Sequence, residues 1–463
     1  MQDELEPMVD DASSETRTYC TAALTGQAFQ EIYVCRRCCS GGTCICQACA
    51  QVCHADCRVT ADEKDGNADS QSKEEEEAVE YIGIGPASCD CHQMPTDASR
   101  SVIYRPTCQC LAAALLFTQQ HHLSDAWDAA CTLPRREAHQ TPVRSFSIEN
   151  LRDVSLRESI LQQAQTLVQH SKDTFWIDHT TAESLSSLCL LEQFAHQILQ
   201  FHQQNDQTIY RGAEWWVQVK QTTLTQTTTD ATTIEMHYDK DEALTEAFGL
   251  GVFPTFSTVT YLTDDGNNSA ASTLIFPRTY HDDPEYPMPY VHVSRPVPGK
   301  HLVFEGSLLH GAIPLASPEA DSEHGNGDNN KENMMRVTFL VNLWKCHHRM
   351  DIHELPRDIR QALIHGCADD VDGSNSCTLS PMRLEERKTP LSVLKLSADA
   401  DDDDGAEYVK LPFVQDGLVV RCVALSPRWW TDDLVQFFFP KGKEAFLEDP
   451  VFSDSVSDDL QDK

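Results

Sequence analysis

Residues 235–244 read EMHYDKDEAL. The stretch leading into it, WWVQVKQTTLTQTTTDATTIEMHY, is rich in β-branched and aromatic residues and lacks proline, which predicts a strand. His237 and Asp239 stand two apart near its end. Side chains at i and i+2 of a strand share a face, so an imidazole and a carboxylate would sit side by side. That pair is either half of a metal site or two polar residues on a wet edge.

A second histidine from another strand would decide for metal. GKHLVFEGSLLHGAIP supplies His310, 71 residues after Asp239 (310 − 239), behind an apolar strand and a glycine turn. His301 in the same stretch is a rival, but its place at a strand start predicts an exposed residue. Two histidines and a carboxylate that leave coordination positions open form the facial triad of non-haem iron(II) oxygenases. Such a centre also needs a group to hold the far carboxylate of 2-oxoglutarate, and a guanidinium matches a carboxylate with two parallel hydrogen bonds. RVTFLVNLW offers Arg336 at the head of a strand, with Thr338 on the same face.

These elements lie among many short strand patterns between about 208 and 345: WWVQVKQ, TTIEMHY, TFSTVTYL, STLIF, HVSRPV, HLVFE and RVTFLVNLW. Turns such as TDDGNNS, DDPEYPMP and PVPGK separate them, a pattern of sandwiches and jelly rolls. The span resembles the 2-oxoglutarate/iron(II) dioxygenase superfamily. The resemblance rests on HYD (His237, Asp239), LLHG (His310) and RVT (Arg336, Thr338), in that order. It implies a double-stranded β-helix core in an α+β domain with flanking helices. It also implies iron(II) held by His237, Asp239 and His310, with 2-oxoglutarate on Arg336 and Thr338. The reaction implied is oxidative decarboxylation to succinate and carbon dioxide, with hydroxylation of a nearby C–H bond by dioxygen. Arg336 follows His310 by 26 residues (336 − 310), longer than the family pattern, and the low-complexity loop 317–334 accounts for most of the excess. Trp215, Trp216, Tyr261 and Phe304 are candidates to line the pocket or to fill ordinary core.

Cysteine use points to a second metal module. The chain of 463 residues has 19 cysteines, nine of them from Cys20 to Cys57. No secretory signal is read at the start, and the longest clean apolar run, CLAAALLF (110–117), is too short to span a bilayer. Dense CxxC spacing then predicts zinc rather than disulfides. Cys35-x2-Cys38 with His54-x2-Cys57 makes one four-ligand set, and Cys46-x2-Cys49 has knuckle spacing.

The stretches CTAALTGQAF, YVCRRC, CQACAQVCH and CDC resemble the UBR box, the zinc module of ubiquitin ligases that recognise N-degrons. That resemblance, over about 20–110, implies three zinc ions, two of them sharing a thiolate. One would take Cys35, Cys38, His54 and Cys57. The pair would take Cys20, Cys46, Cys49, Cys89, Cys91, Cys108 and Cys110, leaving Cys39, Cys44 and Cys53 over. The family grips a protein N-terminus with acidic side chains. Asp90 matches one of them, whereas SGGT and His92–Gln93 stand where others are expected.

The reading is a multidomain chain: an acidic disordered tail (1–17), a small irregular zinc module (18–112, insertion 60–80), a helical support (113–207), the oxygenase core (208–350) and an acidic C-terminal extension (351–463). In the support, TTAESLSSLCLLEQFAHQILQFHQ puts Leu188, Leu191, Phe194, Ala195, Ile198 and Leu199 on one stripe, with a capping box at Thr180 and Glu183. The formal net charge of −36 disfavours nucleic acid and anionic lipid as partners. The expected protein is cytoplasmic or nuclear, with a protein N-terminus or a ubiquitin-pathway component as partner. The alternative is a non-catalytic N-degron adaptor or ubiquitin-ligase subunit.

Overall fold

The computed structural model describes residues 19–24, 28–35, 44–54, 79–91, 109–120, 143–180, 187–222, 234–263, 272–280, 282, 288–313, 334–345, 348–365, 379–387, 392–395, 409–415, 419–425 and 434–438. The acidic tail, most of the insertion at 60–80 and nearly all of the loop 317–334 lie outside these residues. The chain divides into two compact units, Met1–Leu133 with Asp241–Val252, and Pro134–Lys240 with Phe253–Lys463.

In chain order the elements are β1 (Ala28–Cys35), β2 (Val79–Ala87), α1 (Gln109–Gln120), β3 (Arg144–Ile148), α2 (Val154–His170), β4 (Phe175–Asp178), α3 (Leu190–Asn205), β5 (Gly212–Thr222), β6 (Ile234–His237), α4 (Glu242–Phe248), β7 (Phe256–Tyr261), β8 (Ser272–Thr279), β9 (Tyr290–Ser294), β10 (Lys300–Glu305), β11 (Leu308–Ile313), β12 (Met334–Trp344), α5 (Arg357–His365), β13 (Leu384–Glu386), β14 (Ser392–Lys395), β15 (Val409–Gln415), β16 (Val419–Leu425) and β17 (Leu434–Phe438).

The larger unit is built mostly of antiparallel sheets with a few helices. One sheet has the order β13-β3-β10-β7-β12-β5-β4, the other β14-β17-β9-β8-β11-β6. The eight strands β5 to β12 divide between them, four to each. The chain crosses from one sheet to the other at nearly every step, a topology consistent with a jelly roll. The stretch 215–238 is therefore not one strand as its composition suggested. β5 and β6 belong to different sheets, which lets the HxD pair leave the face that carries β5.

Strict alternation sorts the chemistry. On β12, Val337, Phe339, Val341 and Leu343 join Ala213 and Trp215 of β5 in the core under the helices. Arg336, Thr338, Leu340, Asn342 and Trp344 face the other way, into the space between the sheets. Helix α3 closes the apolar side, its Phe194 ring 4.9 Å from Phe339. Its cap differs from the expectation. Cys189 and Glu192 form the capping box, and Thr180 instead sits in a turn, its backbone N–H donating to Asp178. Trp215 lies in this helix-side core rather than in the pocket. The extension after 350 builds sheet edges: β13 pairs with β3, and β17 with β9.

His301 is fully buried rather than exposed. Its neighbour Val303 belongs to the helix-side core, and His301 meets His202 (Nε2 to Nε2, 3.0 Å) and the Thr260 hydroxyl (2.8 Å) there. Burial draws the pKa values of His196, His202, His301 and His292 below the ordinary range, with His202 and Arg144 adding to the effect on His301 and His292 falling to about 4. A histidine with a depressed folded pKa binds fewer protons than its unfolded counterpart at about 6.5, so its stabilising contribution is complete above that value and declines as pH falls toward the folded pKa. Each such residue adds a slope of up to ~1.4 kcal/mol per pH unit in that window. Urea midpoints are predicted to drop between about pH 7.5 and about pH 5. His292→Gln should flatten that dependence; an unchanged pH profile would contradict the assignment.

Candidate metal centres

β6 and β11 pair so that His237 lies directly opposite His310. Asp239 follows just beyond the end of β6. The metal-binding atoms of His237, Asp239 and His310 all lie within 4.8 Å of one another. His237 Nε2 is 3.6 Å from Asp239 Oδ1, and His310 Nε2 is 3.3 Å from Asp239 Oδ2.

The other ring nitrogens define what these atoms offer. His237 Nδ1 lies 2.8 Å from the Glu235 carbonyl, and His310 Nδ1 2.8 Å from the Leu308 carbonyl. A carbonyl only accepts, so each Nδ1 carries a proton and donates it. In the neutral rings, both Nε2 lone pairs then point at a carboxylate. Three acceptors cannot face one another without a cation between them. The Ser257 hydroxyl donates to Asp239 Oδ2 at 2.7 Å and fixes its rotamer. His237 is 42% exposed and His310 8%, so one side of the set is open. Gly311 is required beside His310, because a Cβ there would come within 2.8 Å of the Ile234 carbonyl.

On the inward face of β12, Arg336 is nearly buried and contacts Thr273 Oγ1 (3.5 Å) and Gln218 Oε1 (3.4 Å). Its guanidinium lies 5.9 Å from the centre of the Tyr261 ring, and Lys300 Nζ 5.1 Å from the same centre. The Tyr261 hydroxyl donates to Thr273 Oγ1 at 2.7 Å. Burial lowers the Arg336 pKa, an effect that Tyr261 opposes. Arg336 Nε and Thr338 Oγ1 are buried without a hydrogen-bond partner. Among the described residues no carboxylate pairs with Arg336. Orphaned buried donors are costly, about 1–3 kcal/mol each, and these two fit an anion received here.

Several neighbours of the triad carried no signal in the sequence. Glu214 is fully buried, pairs with Arg349, and accepts from Asn342 Nδ2 (3.4 Å) and Trp344 Nε1 (3.3 Å). Burial raises its pKa, Arg349 opposes that, and Asp239 adds to it. Asn342 lies opposite Ser257 in the sheet. Because Glu214 only accepts, the Asn342 amide nitrogen must face it, which leaves Oδ1 as a buried acceptor without a partner. Phe304 stands 4.8 Å from the His310 ring. No pattern of spacing in one chain reveals partners chosen by strand register.

In the smaller unit, β1 and β2 pair antiparallel, and a helical turn, Cys49–Cys53, lies between them in the chain. Two sets of thiols meet there: Cys20, Cys46, Cys49 and Cys89, and Cys49, Cys53 and Cys110. Cys49 belongs to both. Cys89 Sγ lies 3.5 Å from Cys49 Sγ, and Cys53 Sγ 3.4 Å from Cys110 Sγ. Hydrogen bonds from Cys20, Cys49 and Cys89 hold the Cys46 pKa well below the usual thiol range despite its burial. Four soft donors at this spacing fit zinc. Cys53, left over in the sequence reading, is part of the second set. His54 Nε2 is 3.5 Å from Cys91 Sγ, although the two were expected in different sets. Cys35 is buried in none of these groups, and Cys38, Cys57 and Cys108 lie outside the described residues. Asp90 donates its backbone N–H to the Cys44 carbonyl, and its carboxylate accepts from Ser88.

The fold and its polar interior define a class: an antiparallel jelly roll with two histidines and a carboxylate gathered between its sheets. No family model matches the chain, and no curated protein matches it. Its structural neighbours are 2-oxoglutarate/iron(II) oxygenases. A prolyl-4-hydroxylase of Pseudomonas putida is 13% identical over 42% of this chain and 84% of its own, with a TM-score of 0.26. The α-ketoglutarate-dependent epimerase SnoN of nogalamycin biosynthesis is 13% identical over 53% and 92%, TM-score 0.27. The collagen prolyl hydroxylase of Paramecium Bursaria Chlorella virus-1 is 11% identical over 43% and 89%, TM-score 0.23. Likenesses this distant describe those proteins, and the chemistry of this chain rests on its own side chains. Among the described residues no helix is long and apolar enough to cross a membrane.

If Cys49 joins two metal ions, its loss should cost more than that of a terminal thiolate. Cys49→Ser is predicted to lower bound zinc by about two ions per chain and Cys20→Ser by about one. Equal losses, read by elemental analysis of the purified protein, would remove the shared role of Cys49.

Proposed function

We propose that the chain is an iron(II)/2-oxoglutarate-dependent oxygenase, a hydroxylase in reaction type, with a zinc-bearing UBR-like module. The observation that carries this reading is the convergence of three acceptors, His237, Asp239 and His310, in the same inter-sheet space as two unsatisfied buried groups, Arg336 Nε and Thr338 Oγ1. His237, Asp239 and His310 would hold ferrous iron, which when bound supplies the redox chemistry with dioxygen. Arg336 and Thr338 would hold the far carboxylate of 2-oxoglutarate, with Tyr261 as a flat wall beneath the guanidinium. Ser257 keeps Asp239 in its rotamer. Glu214, itself paired with Arg349, holds the Asn342 amide and leaves its Oδ1 as a buried acceptor available to an organic substrate. Phe304 keeps water from one side of His310. The hard chemistry belongs to metal and co-substrate, and the chain supplies orientation and a dry surround.

Anaerobic addition of iron(II) and 2-oxoglutarate should produce a visible charge-transfer band. Arg336→Ala should weaken 2-oxoglutarate binding at least ~30-fold, the ~2–3 kcal/mol of a charge-assisted hydrogen-bonded pair. His237→Ala should abolish the band, and succinate should form in air only with both histidines present. A protein that gives neither band nor succinate is instead a binding module.

For the cysteine unit the reading is a UBR-like box that recruits a protein N-terminus, with Asp90 as its acidic contact. Peptides beginning with arginine or lysine, titrated against the full chain, should bind and should lose affinity in Asp90→Asn. Absence of binding would leave metal as the ligand of this unit.

A further inference from the structure

The chain leaves Asp239, passes Lys240 and enters the segment Asp241–Val252, which belongs to the cysteine unit although both flanking stretches belong to the sheets. The segment is closed on itself. Asp241 N–H donates to the Val252 carbonyl at 2.9 Å, and the Asp241 carboxylate caps α4 by accepting from Leu244 N–H at 3.0 Å. Leu244, Leu250 and Val252 are fully buried. A helix of seven residues has no stability alone. What holds it comes from distant parts of the cysteine unit. Tyr19 N–H donates to the Ala247 carbonyl at 2.6 Å. The Tyr19 ring lies 5.7 Å from Phe248 and 4.7 Å from Phe117, and Phe117 lies 5.7 Å from Phe248.

Both clamping rings are tied to the thiol sets. Tyr19 immediately precedes Cys20, a member of the four-thiol set. Phe117 sits on α1, whose first turn carries Cys110 of the second set. Metal held by these thiols would therefore fix Tyr19 and α1, which pack on α4. The free energy of metal binding in such a small unit is folding free energy. It is shared by a segment whose first residues are the continuation of an iron ligand.

We propose that the cysteine unit serves the oxygenase centre directly: metal on its thiolates sets the path of the chain that carries Asp239, so losing that metal weakens iron binding. The inference rests on the iron and zinc readings above. Its test uses the full chain, loaded with zinc and saturated with 2-oxoglutarate under anaerobic conditions. Iron(II) is titrated and the charge-transfer band is followed, with zinc content and amide hydrogen exchange of 241–252 measured alongside. Cys20→Ser should lose zinc, speed exchange in 241–252 and weaken iron(II) about 10- to 100-fold, the usual cost of loosening a ligand's support. Phe248→Ala should keep its zinc and still weaken iron(II), and Phe248→Leu should restore most of the affinity. Exchange in β12 serves as the control that the sheets remain folded. Iron affinity within about twofold of the parent in Cys20→Ser and Phe248→Ala, while 241–252 exchanges faster, overturns the coupling and leaves the oxygenase reading standing. A parent chain with no band removes both.

Discussion

The constraint on which the larger unit turns is the meeting of three metal-binding groups, on His237, Asp239 and His310, with their ligand atoms within 4.8 Å of one another. Each histidine spends its only ring proton on a backbone carbonyl, His237 on Glu235 and His310 on Leu308. Both remaining lone pairs are then aimed at Asp239. An arrangement of this kind is stable only around a positive charge. Everything nearby serves to keep it: the direct pairing of β6 with β11, the Ser257 hydroxyl on the carboxylate, and a glycine where a side chain would strike the opposite strand.

The sheets make this possible by separating two kinds of burial. On β12 and β5 one face packs against helices with apolar side chains only. The other encloses Arg336, Thr338, Asn342 and Glu214 away from water. Polar groups survive there because most are paired: Glu214 with Arg349, Asn342 and Trp344, and Tyr261 with Thr273 and Ser294. The exceptions are Arg336 Nε, Thr338 Oγ1 and Asn342 Oδ1, which are buried without a hydrogen-bond partner. The smaller unit solves a different problem. Beside buried apolar residues such as Leu24, Ile45, Leu244 and Phe248 it gathers two sets of thiols that share Cys49.

Residue chemistry and local order were legible without a fold. HxD, a distant histidine before glycine, and arginine with threonine two residues on are signals of residue type and short spacing. So were the cysteine pairs and the alternation of β12. The reading failed where a longer-range event decides. His301 looked exposed because a strand start usually is, yet α3 covers it and brings His202 to its ring. Thr180 and Glu183 had capping spacing, yet the helix begins at Leu190. Cys53 was left over when the ligand set implied by the resemblance was carried across, yet it meets Cys49 and Cys110.

What the sequence determined by itself was the supply of groups: which side chains can bind metal or anion, and which faces alternate, because periodicity and chemistry are properties of neighbouring residues. Only the tertiary structure decided which of them meet. Ser257 reaches Asp239, Asn342 lies between Glu214 and Ser257, and Thr273 lies under Arg336, all through strand register. It also decided that residues 241–252 belong with the cysteines rather than with the strands beside them. Register and unit membership are set by the packing of whole sheets and by closure over long stretches of chain, and no local pattern encodes either.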